Sequence, residues 1–115
     1  MQITDIETGV ETLVEAIKTD YRSWMLRGNE YTDVQERMIN DFETGIGYKT
    51  GKKYIKITNN NGGSVWGFVV ATDDDKKFRK GDILKAAGYN APARNAPRGN
   101  VFDGFSIQWT GPRYL

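Results

Sequence analysis

The spacing of apolar residues changes at Gly45, and this change limits the folds that the chain can adopt. Before Gly45, apolar residues recur at helical spacing, as expected for helices with one buried face. After it, they alternate with polar residues or form short apolar runs bounded by Asn, Gly and Asp, as in strands. The sequence therefore predicts a helical part followed by a sheet.

Two helices are predicted in the first part. A capping box of Thr4 with Glu7 starts the first, which ends at Gly28-Asn29, and a second capping box, Thr32 with Gln35, starts a shorter helix that ends at Gly45. The residues expected to face inward are Ile6, Val10, Leu13, Val14, Ile17, Tyr21, Trp24 and Met25 in the first helix and Val34, Met38, Ile39 and Phe42 in the second. The length of the first stripe makes the helix that carries Trp24 a candidate subunit interface.

The sheet is predicted from a series of short apolar segments. Ser64–Ala71 is the most apolar and is expected at the centre, with Gly67 allowing close approach of another group. The Asn-Gly run 59–63 before it is typical of a hairpin turn, and three consecutive aspartates, 73–75, indicate a solvated turn after it. The remaining predicted strands are Ile46 and Tyr48, then Tyr54, Ile55 and Ile57, then 78–85 as a strand or helix start, then Phe105, Ile107 and Trp109 as a closing strand.

The predicted fold is thus one α+β domain of 115 residues, with two N-terminal helices followed by an antiparallel sheet of four or five strands. Residues 1–45 form the helical part and 46–115 the sheet with a ligand loop. There is no apolar run of about 18 residues and no signal-peptide pattern, so we expect a soluble protein of the cytosol without a membrane span.

Composition removes most familiar catalytic groups. The chain has no Cys and no His, which excludes thiol nucleophiles, thiolate metal sites and the commonest general base. We therefore expect a binding protein without a cofactor or metal, although a hydrolase acting through Asp82 or Asp103 stays open.

Charge is distributed unevenly along the chain. Residues 1–45 carry ten acids and four bases, whereas 76–115 carry eight bases and two acids. Either the basic part meets an anion or a neighbouring subunit, or the two halves face each other within the fold.

The segment from Lys80 to Asp103 is predicted to be a loop that binds a polar, anionic ligand. Its guanidinium groups suit phosphates, and its asparagines suit ribose hydroxyls or base edges. The candidate contacts are Arg94, Arg98 and Arg113 for phosphate, Phe78, Phe102 and Tyr89 for stacking, and Asn90, Asn95, Asn100 and Asp103 for hydroxyls or base edges. Core positions for the two phenylalanines and turn caps for Asn100 and Asp103 are the structural alternatives.

Four segments between Lys53 and Leu115 carry a family resemblance: KYIKI, SVWGFVV, KFRKGDILKAAGYNAPARNAPRGNVFDG and IQWTGPRYL. With them the chain resembles small proteins of tailed bacteriophages and is similar to the Thoeris anti-defence sponge family. That resemblance implies a protein in the cytoplasm of the infected bacterial host that sequesters cyclic ADP-ribose isomers without cleaving them. Some members also trap cyclic oligonucleotides at a second pocket.

The resemblance also implies roles for individual residues. Phe78 would stack on adenine, Arg94, Arg98 and Arg113 would pair with the diphosphate, and Asn90, Asn100 and Asp103 would hold ribose hydroxyls. A small domain encloses a nucleotide best between subunits, so we expect a homo-oligomer, at least a dimer. The alternative functions are a single-stranded nucleic-acid-binding module and a phage assembly protein.

Overall fold

The computed structural model describes residues 5–27 and 32–112. Helices α1 (Ile6–Leu26) and α2 (Asp33–Gly45) come first. Five strands follow, which are β1 (Gly47–Thr50), β2 (Tyr54–Asn59), β3 (Ser64–Val70), β4 (Ile83–Gly88) and β5 (Ala91–Pro92). They pair antiparallel in chain order, with β3 at the centre. The predicted α+β fold, with two helices before an antiparallel sheet, is confirmed.

The helix starts follow from local capping. The Thr32–Gln35 capping box of α2 is confirmed, because the Thr32 N–H donates to Gln35 Oε1 at 3.0 Å and the Gln35 N–H donates to Thr32 Oγ1 at 3.4 Å. At α1 the prediction was wrong about the cap, which is Asp5: its Oδ1 accepts from the Glu7 N–H at 2.8 Å. Thr4 and the predicted stop at Gly28-Asn29 lie outside the described residues.

The main core lies between α1 and one face of the sheet, which we call the inner face. Its centre is fully buried: Val10, Leu13 and Ile17 of α1 and Ile55, Ile57, Val69 and Ile83 of the strands all have 0 % exposure. Trp66 joins this core because the register between β2 and β3 shifts at Ile57/Thr58, and its indole N–H donates to the Gln108 carbonyl at 2.9 Å.

The prediction for α2 was only partly correct. Ile39 is buried and Phe42 stacks on Tyr21 of α1, with ring centres 4.0 Å apart, but Val34 and Met38 are 56 % and 45 % exposed. Trp24, also expected inside, is 48 % exposed. The reason is that α2 packs mainly on α1, β2 and the turn after β2, with Phe42 also against the Trp109 ring, so a narrow stripe of this helix is covered.

The predicted closing strand is not part of the five-stranded sheet. Residues 99–112 instead form two short hairpins, β6 (Gly99–Asn100) with β7 (Gly104–Phe105) and β8 (Ile107–Gln108) with β9 (Gly111–Pro112). The chain turns back at residues 101–103 and 109–110, and the first residue after each turn, Gly104 or Gly111, has a positive φ of 122° or 156°. Phe105, Ile107 and Trp109 still pack against the main core, so their alternation reflects burial and not a place in the five-stranded sheet.

The segment Lys80–Asp103 is not a loop throughout, as the sequence had suggested. It contains β4, which pairs with β3 on one side and β5 on the other. Gly67 and Gly81 permit this packing: a Cβ on Gly67 would lie 2.9 Å from the Leu84 carbonyl oxygen, and one on Gly81, at φ 92°, would lie 2.6 Å from the Phe102 ring.

Four ion pairs are seen within residues 5–27 and 32–112, and none of these joins the acidic part of the chain to the basic part. The four observed are Lys18–Glu15, Arg22–Glu43, Arg79–Asp103 and Arg94–Asp75. Three of these pairs lie within one part of the sequence, and the fourth joins Arg94 to Asp75, which directly precedes the basic part. These pairs therefore do not cancel the charge asymmetry inside the fold. Within the described ranges, no helix is long and apolar enough to cross a membrane.

Candidate functional site

The face of the sheet turned away from α1, which we call the outer face, carries a second and smaller apolar cluster. Its buried members are Phe68, Val70, Phe78 and Leu84, with Tyr54, Val65 and Ala86 partly buried beside them. Within the part of the chain that the structure describes, neither helix belongs to this cluster, and Phe78, from the connection between β3 and β4, is buried in it. The chain after β5 runs beside β4, held by backbone bonds from Ala93 and Arg98 to Lys85 and Ile83, both 2.7 Å.

Arg94 ties the connections of the outer face together through contacts with Asp75, Tyr54 and Phe78, which we call the Arg94 clamp. Its Nη1 and Nη2 donate to the two carboxylate oxygens of Asp75, each at 2.9 Å. Nη1 also donates to the Tyr54 hydroxyl, and the guanidinium carbon lies 4.8 Å from the centre of the Phe78 ring. A planar guanidinium can make a bidentate pair and a ring contact at once, which an ammonium cannot.

Asp75 holds Arg94 in the clamp and is itself held by the backbone of its own turn. Its side chain is only 9 % exposed, and Oδ1 also accepts from the backbone N–H groups of Lys77 and Phe78 at 2.8 and 3.0 Å. The Arg94 hydrogen bonds, followed by the two backbone bonds, hold the pKa of Asp75 well below its usual range. The same contact raises the pKa of Arg94. The aspartate therefore stays ionised and orders its turn. The sequence had predicted a solvated turn at residues 73–75, but the side chain of Asp75 is buried and paired.

A cleft of about 570 Å³ opens beside the clamp, and we call it the basic cleft. It is lined by Lys52, Lys53, Tyr54, Thr72, Asp74, Asp75, Lys76 and Arg94. Four cations thus face two aspartates, one of which is already paired with Arg94. The three lysines make no ion pair with any residue that the structure describes. The cleft therefore offers a positive potential and movable ammonium donors to an anion.

Two other clefts are less suited to an anion. One, of about 660 Å³ between α1 and α2, has Asp33, Glu36 and Glu43 in its wall against two arginines. The other, of about 510 Å³, lies between α1 and β8, where Trp24 and Trp109 meet with ring centres 5.1 Å apart. Its wall contains one acid, Asp20, and one base, Arg27, beside the two tryptophans, and we call it the aromatic cleft.

The predicted ligand residues do not form one site. Arg94 and Phe78 meet in the clamp, where Phe78 is 4 % exposed. Asn90 lies at the β4–β5 turn and accepts a hydrogen bond from the Lys56 ammonium at 2.6 Å, also on the outer face. These three residues share one face of the sheet, but Phe78 has no free ring face in this arrangement.

Asn100 lies elsewhere, in a buried polar cluster with Asp82; the two residues are 5 % and 6 % exposed. Asn100 Nδ2 donates to Asp82 Oδ1 at 2.9 Å and to the Lys80 carbonyl at 3.1 Å, and Oδ1 accepts from the Phe102 N–H at 2.8 Å. Asp82 Oδ2 accepts from the Arg79 N–H at 2.9 Å. The side chains therefore join β6 to the start of β4, and their hydrogen-bonding capacity is used within the protein.

The remaining candidates are dispersed. Asp103 pairs with Arg79 at the surface, and Arg98 folds back on its own loop, donating to the Ala96 carbonyl and to Asn95 Oδ1, both at 3.2 Å. Arg113 lies outside the described residues. A common role for these residues in ligand binding stays a prediction.

Sequence reasoning missed the lysines of the basic cleft and the partner of Arg94. A signal for one wall residue of the cleft was present: Tyr54 alternates with the core residues Ile55 and Ile57, so its side chain had to point to the outer face. Asp75 had no such signal, because nothing in three consecutive aspartates shows which one meets an arginine 19 residues away.

Within residues 5–27 and 32–112, no group of three acidic side chains is placed to hold a metal ion. No match was found among curated proteins or among solved structures. A family model does match, over residues 1–112, and its description is a family of unknown function, DUF7717. This match covers nearly the whole chain, both helices and the sheet with its basic cleft. The protein is therefore a member of the DUF7717 family.

Proposed function

We propose that the protein captures a small phosphate-bearing nucleotide at the basic cleft and releases it unchanged. The nucleotide class follows from the sequence resemblance: a cyclic ADP-ribose isomer, with cyclic oligonucleotides as a further class. In this proposal the protein is a phage anti-defence sponge that removes an immune signal from the cytoplasm of the infected host.

The observation that carries the proposal is the concentration of unpaired lysines beside the Arg94 clamp. Lys52, Lys53 and Lys76 line one cleft with Arg94, whose guanidinium is held in place by Asp75. A diphosphate would accept hydrogen bonds from the ammonium groups, while the clamp keeps the cleft wall rigid and reduces the ordering cost of binding.

Capture without turnover agrees with the chemistry of the chain. It has neither His nor Cys, and Asp82, a candidate for hydrolysis, uses its carboxylate oxygens in bonds to Asn100 and the Arg79 N–H. Chromatography of the nucleotide after incubation with the protein is expected to return it intact.

An oligomer is part of the proposal. Trp24 is 48 % exposed on the acidic helix α1 and lies against Trp109 in the aromatic cleft, a surface that a second subunit could cover. Sedimentation of wild type and Trp24→Ser is expected to show an oligomer that dissociates in the variant. A monomeric wild type would contradict the proposed oligomer and leave the proposed capture of a nucleotide unaffected.

Calorimetry with a cyclic ADP-ribose isomer tests the capture site. Lys53→Ala and Lys76→Ala are each expected to weaken binding about tenfold or more, because each removes a charge-assisted hydrogen bond to phosphate. The matched control is Arg37→Ala, which removes one positive charge from an exposed position on α2, away from the cleft. The proposal would be contradicted if the wild type did not bind the nucleotide, or if Lys53→Ala, Lys76→Ala and Arg37→Ala all weakened its affinity equally.

Single-stranded nucleic acid is the second candidate ligand, and the β1–β2 register favours it. Lys49 lies directly opposite Lys56 on the outer face, which extends the positive surface beyond the cleft along the sheet. A nucleic-acid strand would bind with a steep salt dependence and with affinity rising with strand length. A cyclic nucleotide sponge would show a shallower salt dependence, because it neutralises fewer phosphates, and its affinity would not rise with strand length.

A further inference from the structure

Asp74 is an acidic wall residue of the basic cleft whose side chain is not paired. Asp75, the other acid in the wall, already accepts from Arg94 and from two backbone N–H groups. The Asp74 side chain makes no hydrogen bond or ion pair with any residue that the structure describes. An unpaired negative group among the cations of the cleft weakens their attraction for phosphate, so its presence there needs another reason.

The position of Asp74 is fixed by its own turn. On one side, the Ala71 N–H donates to the Lys53 carbonyl at 2.8 Å, which ties the start of the connection after β3 to the β1–β2 turn. On the other side, Asp75 belongs to the clamp. Between these two points the Asp74 N–H donates to Thr72 Oγ1 at 3.1 Å. The backbone that carries the unpaired carboxylate is therefore ordered before a ligand binds, which reduces the entropic cost of a contact with it.

The other polar side chains of the cleft wall are available as donors. The Tyr54 hydroxyl accepts from Arg94 Nη1, and the Thr72 hydroxyl accepts from the backbone N–H two residues later. Each hydroxyl therefore keeps its own proton to donate, and the three lysines of the wall can only donate. A ligand that matches this wall presents several acceptors to the donors and a donor to Asp74.

A sugar phosphate has both kinds of group. A diphosphate bridge between two sugars is fully ionised near neutral pH, so its oxygens accept hydrogen bonds but it has no hydrogen to give to a carboxylate. A ribose carries two neighbouring hydroxyls, and the two oxygens of one carboxylate can accept from both. Acidic side chains of other nucleotide-binding folds hold ribose hydroxyls in this way.

We propose that Asp74 accepts hydrogen bonds from the neighbouring hydroxyls of a ribose whose phosphate lies among the lysines of the basic cleft. This rests on the proposed function and deepens it, because it makes the cleft selective for ribose phosphates over deoxyribose phosphates. It also assigns the ribose to a residue other than Asn90, Asn100 and Asp103. Asn100 is saturated within the fold, and Asp103 is paired with Arg79.

Ribose 5-phosphate and 2-deoxyribose 5-phosphate test this assignment, because they carry the same charge and differ by one hydroxyl. Calorimetric titrations with both are run on wild type, Asp74→Ala and Asp73→Ala, and a cyclic ADP-ribose isomer is titrated into the wild type. The wild type is expected to bind ribose 5-phosphate about threefold to tenfold more tightly than the deoxy sugar, as expected for one hydrogen bond at an exposed position. In Asp74→Ala the two affinities are expected to become equal.

Asp73→Ala is the matched control. Asp73 is the exposed neighbour in the same turn and does not line the basic cleft. The variant removes the same charge, so it is expected to keep the wild-type preference for ribose 5-phosphate. Thermal melts confirm that both variants are folded.

The outcomes separate the two proposals. If the wild type binds the cyclic ADP-ribose isomer but binds both sugar phosphates equally, ribose recognition is overturned and the capture function stands. If Asp74→Ala keeps the preference for ribose 5-phosphate, or if Asp73→Ala loses it as well, the assignment to Asp74 is wrong. If only the sugar phosphates bind, and Asp74→Ala alone loses the preference, the assignment stands and the cyclic ADP-ribose class fails. If no probe binds the wild type, both proposals fail.

Discussion

The two faces of the sheet are covered by different parts of the chain. On the inner face, α1 lays a continuous stripe of fully buried residues such as Leu13 and Ile17 against the strands. On the outer face, a smaller cluster around Phe68 and Leu84 is covered by connecting segments, which the ion pair of Arg94 with Asp75 holds in place.

This difference determines which face can carry a ligand site. A helix packed on a sheet excludes water and leaves no charged groups at the contact, so the inner face contributes stability. Connecting segments bring polar and charged side chains, here Lys52, Lys53 and Lys76, to the rim of a cluster that is still ordered. The outer face therefore combines a fixed aromatic surface with accessible cations.

The largest effect is expected from truncating leucines on the two faces. Leu13 and Leu84 are both fully buried, so Leu13→Ala and Leu84→Ala remove the same atoms. Leu13→Ala is expected to lower the free energy of unfolding by about 3 to 5 kcal/mol and Leu84→Ala by about 2 to 3 kcal/mol, because connecting segments collapse into a cavity more readily than a helix does. Urea denaturation measures both, and equal losses would show that the outer face is as rigid as the inner one.

A smaller, pH-dependent effect is expected from Asp75→Asn, which breaks the clamp. The folded-state pKa of Asp75 is depressed by Arg94 and two backbone N–H groups, so its stabilisation is fully present above the unfolded value of about 4 and is lost as the pH falls through the folded value. The difference in melting temperature between wild type and Asp75→Asn should therefore be large at pH 7 and shrink steadily below about pH 4.

Asp74→Asn is the matched control for this experiment, because Asp74 is the exposed neighbour and its side chain makes none of the clamp contacts. It is expected to melt close to the wild type throughout. A difference for Asp75→Asn that stays constant from pH 7 to the acid limit would mean that the lost contacts do not depend on the carboxylate charge.

The smallest effect is expected on α2, at apolar positions that neither face buries. Val34 and Met38 are 56 % and 45 % exposed, so Val34→Ala and Met38→Ala should each change the free energy of unfolding by less than about 0.5 kcal/mol. A loss above 1 kcal/mol would indicate that these side chains are covered in solution, and concentration-dependent melting would then identify a second subunit as the cover.

Local patterns in the sequence predicted much of the fold. The helical stripe of α1, the Thr32–Gln35 capping box, the asparagine-rich turn and the apolar run of β3 are all determined by residues close together in the chain. The errors about burial share a cause: apolar spacing shows that a residue can be buried but not what covers it. Val34 and Met38 have the right spacing and no covering element, and Phe105 and Ile107 are covered without being part of the five-stranded sheet.

The sequence alone determined the fold class and the chemical character of this protein, because capping, periodicity and the absence of His and Cys are properties of the chain itself. Only the tertiary structure decided which charges meet. Arg94 is bound to Asp75, Asn100 is saturated by its own fold, and Lys53 and Lys76 come together across 23 residues. Such pairings depend on the register of β2, β3 and β4 and on the path of their connections, which no local pattern encodes.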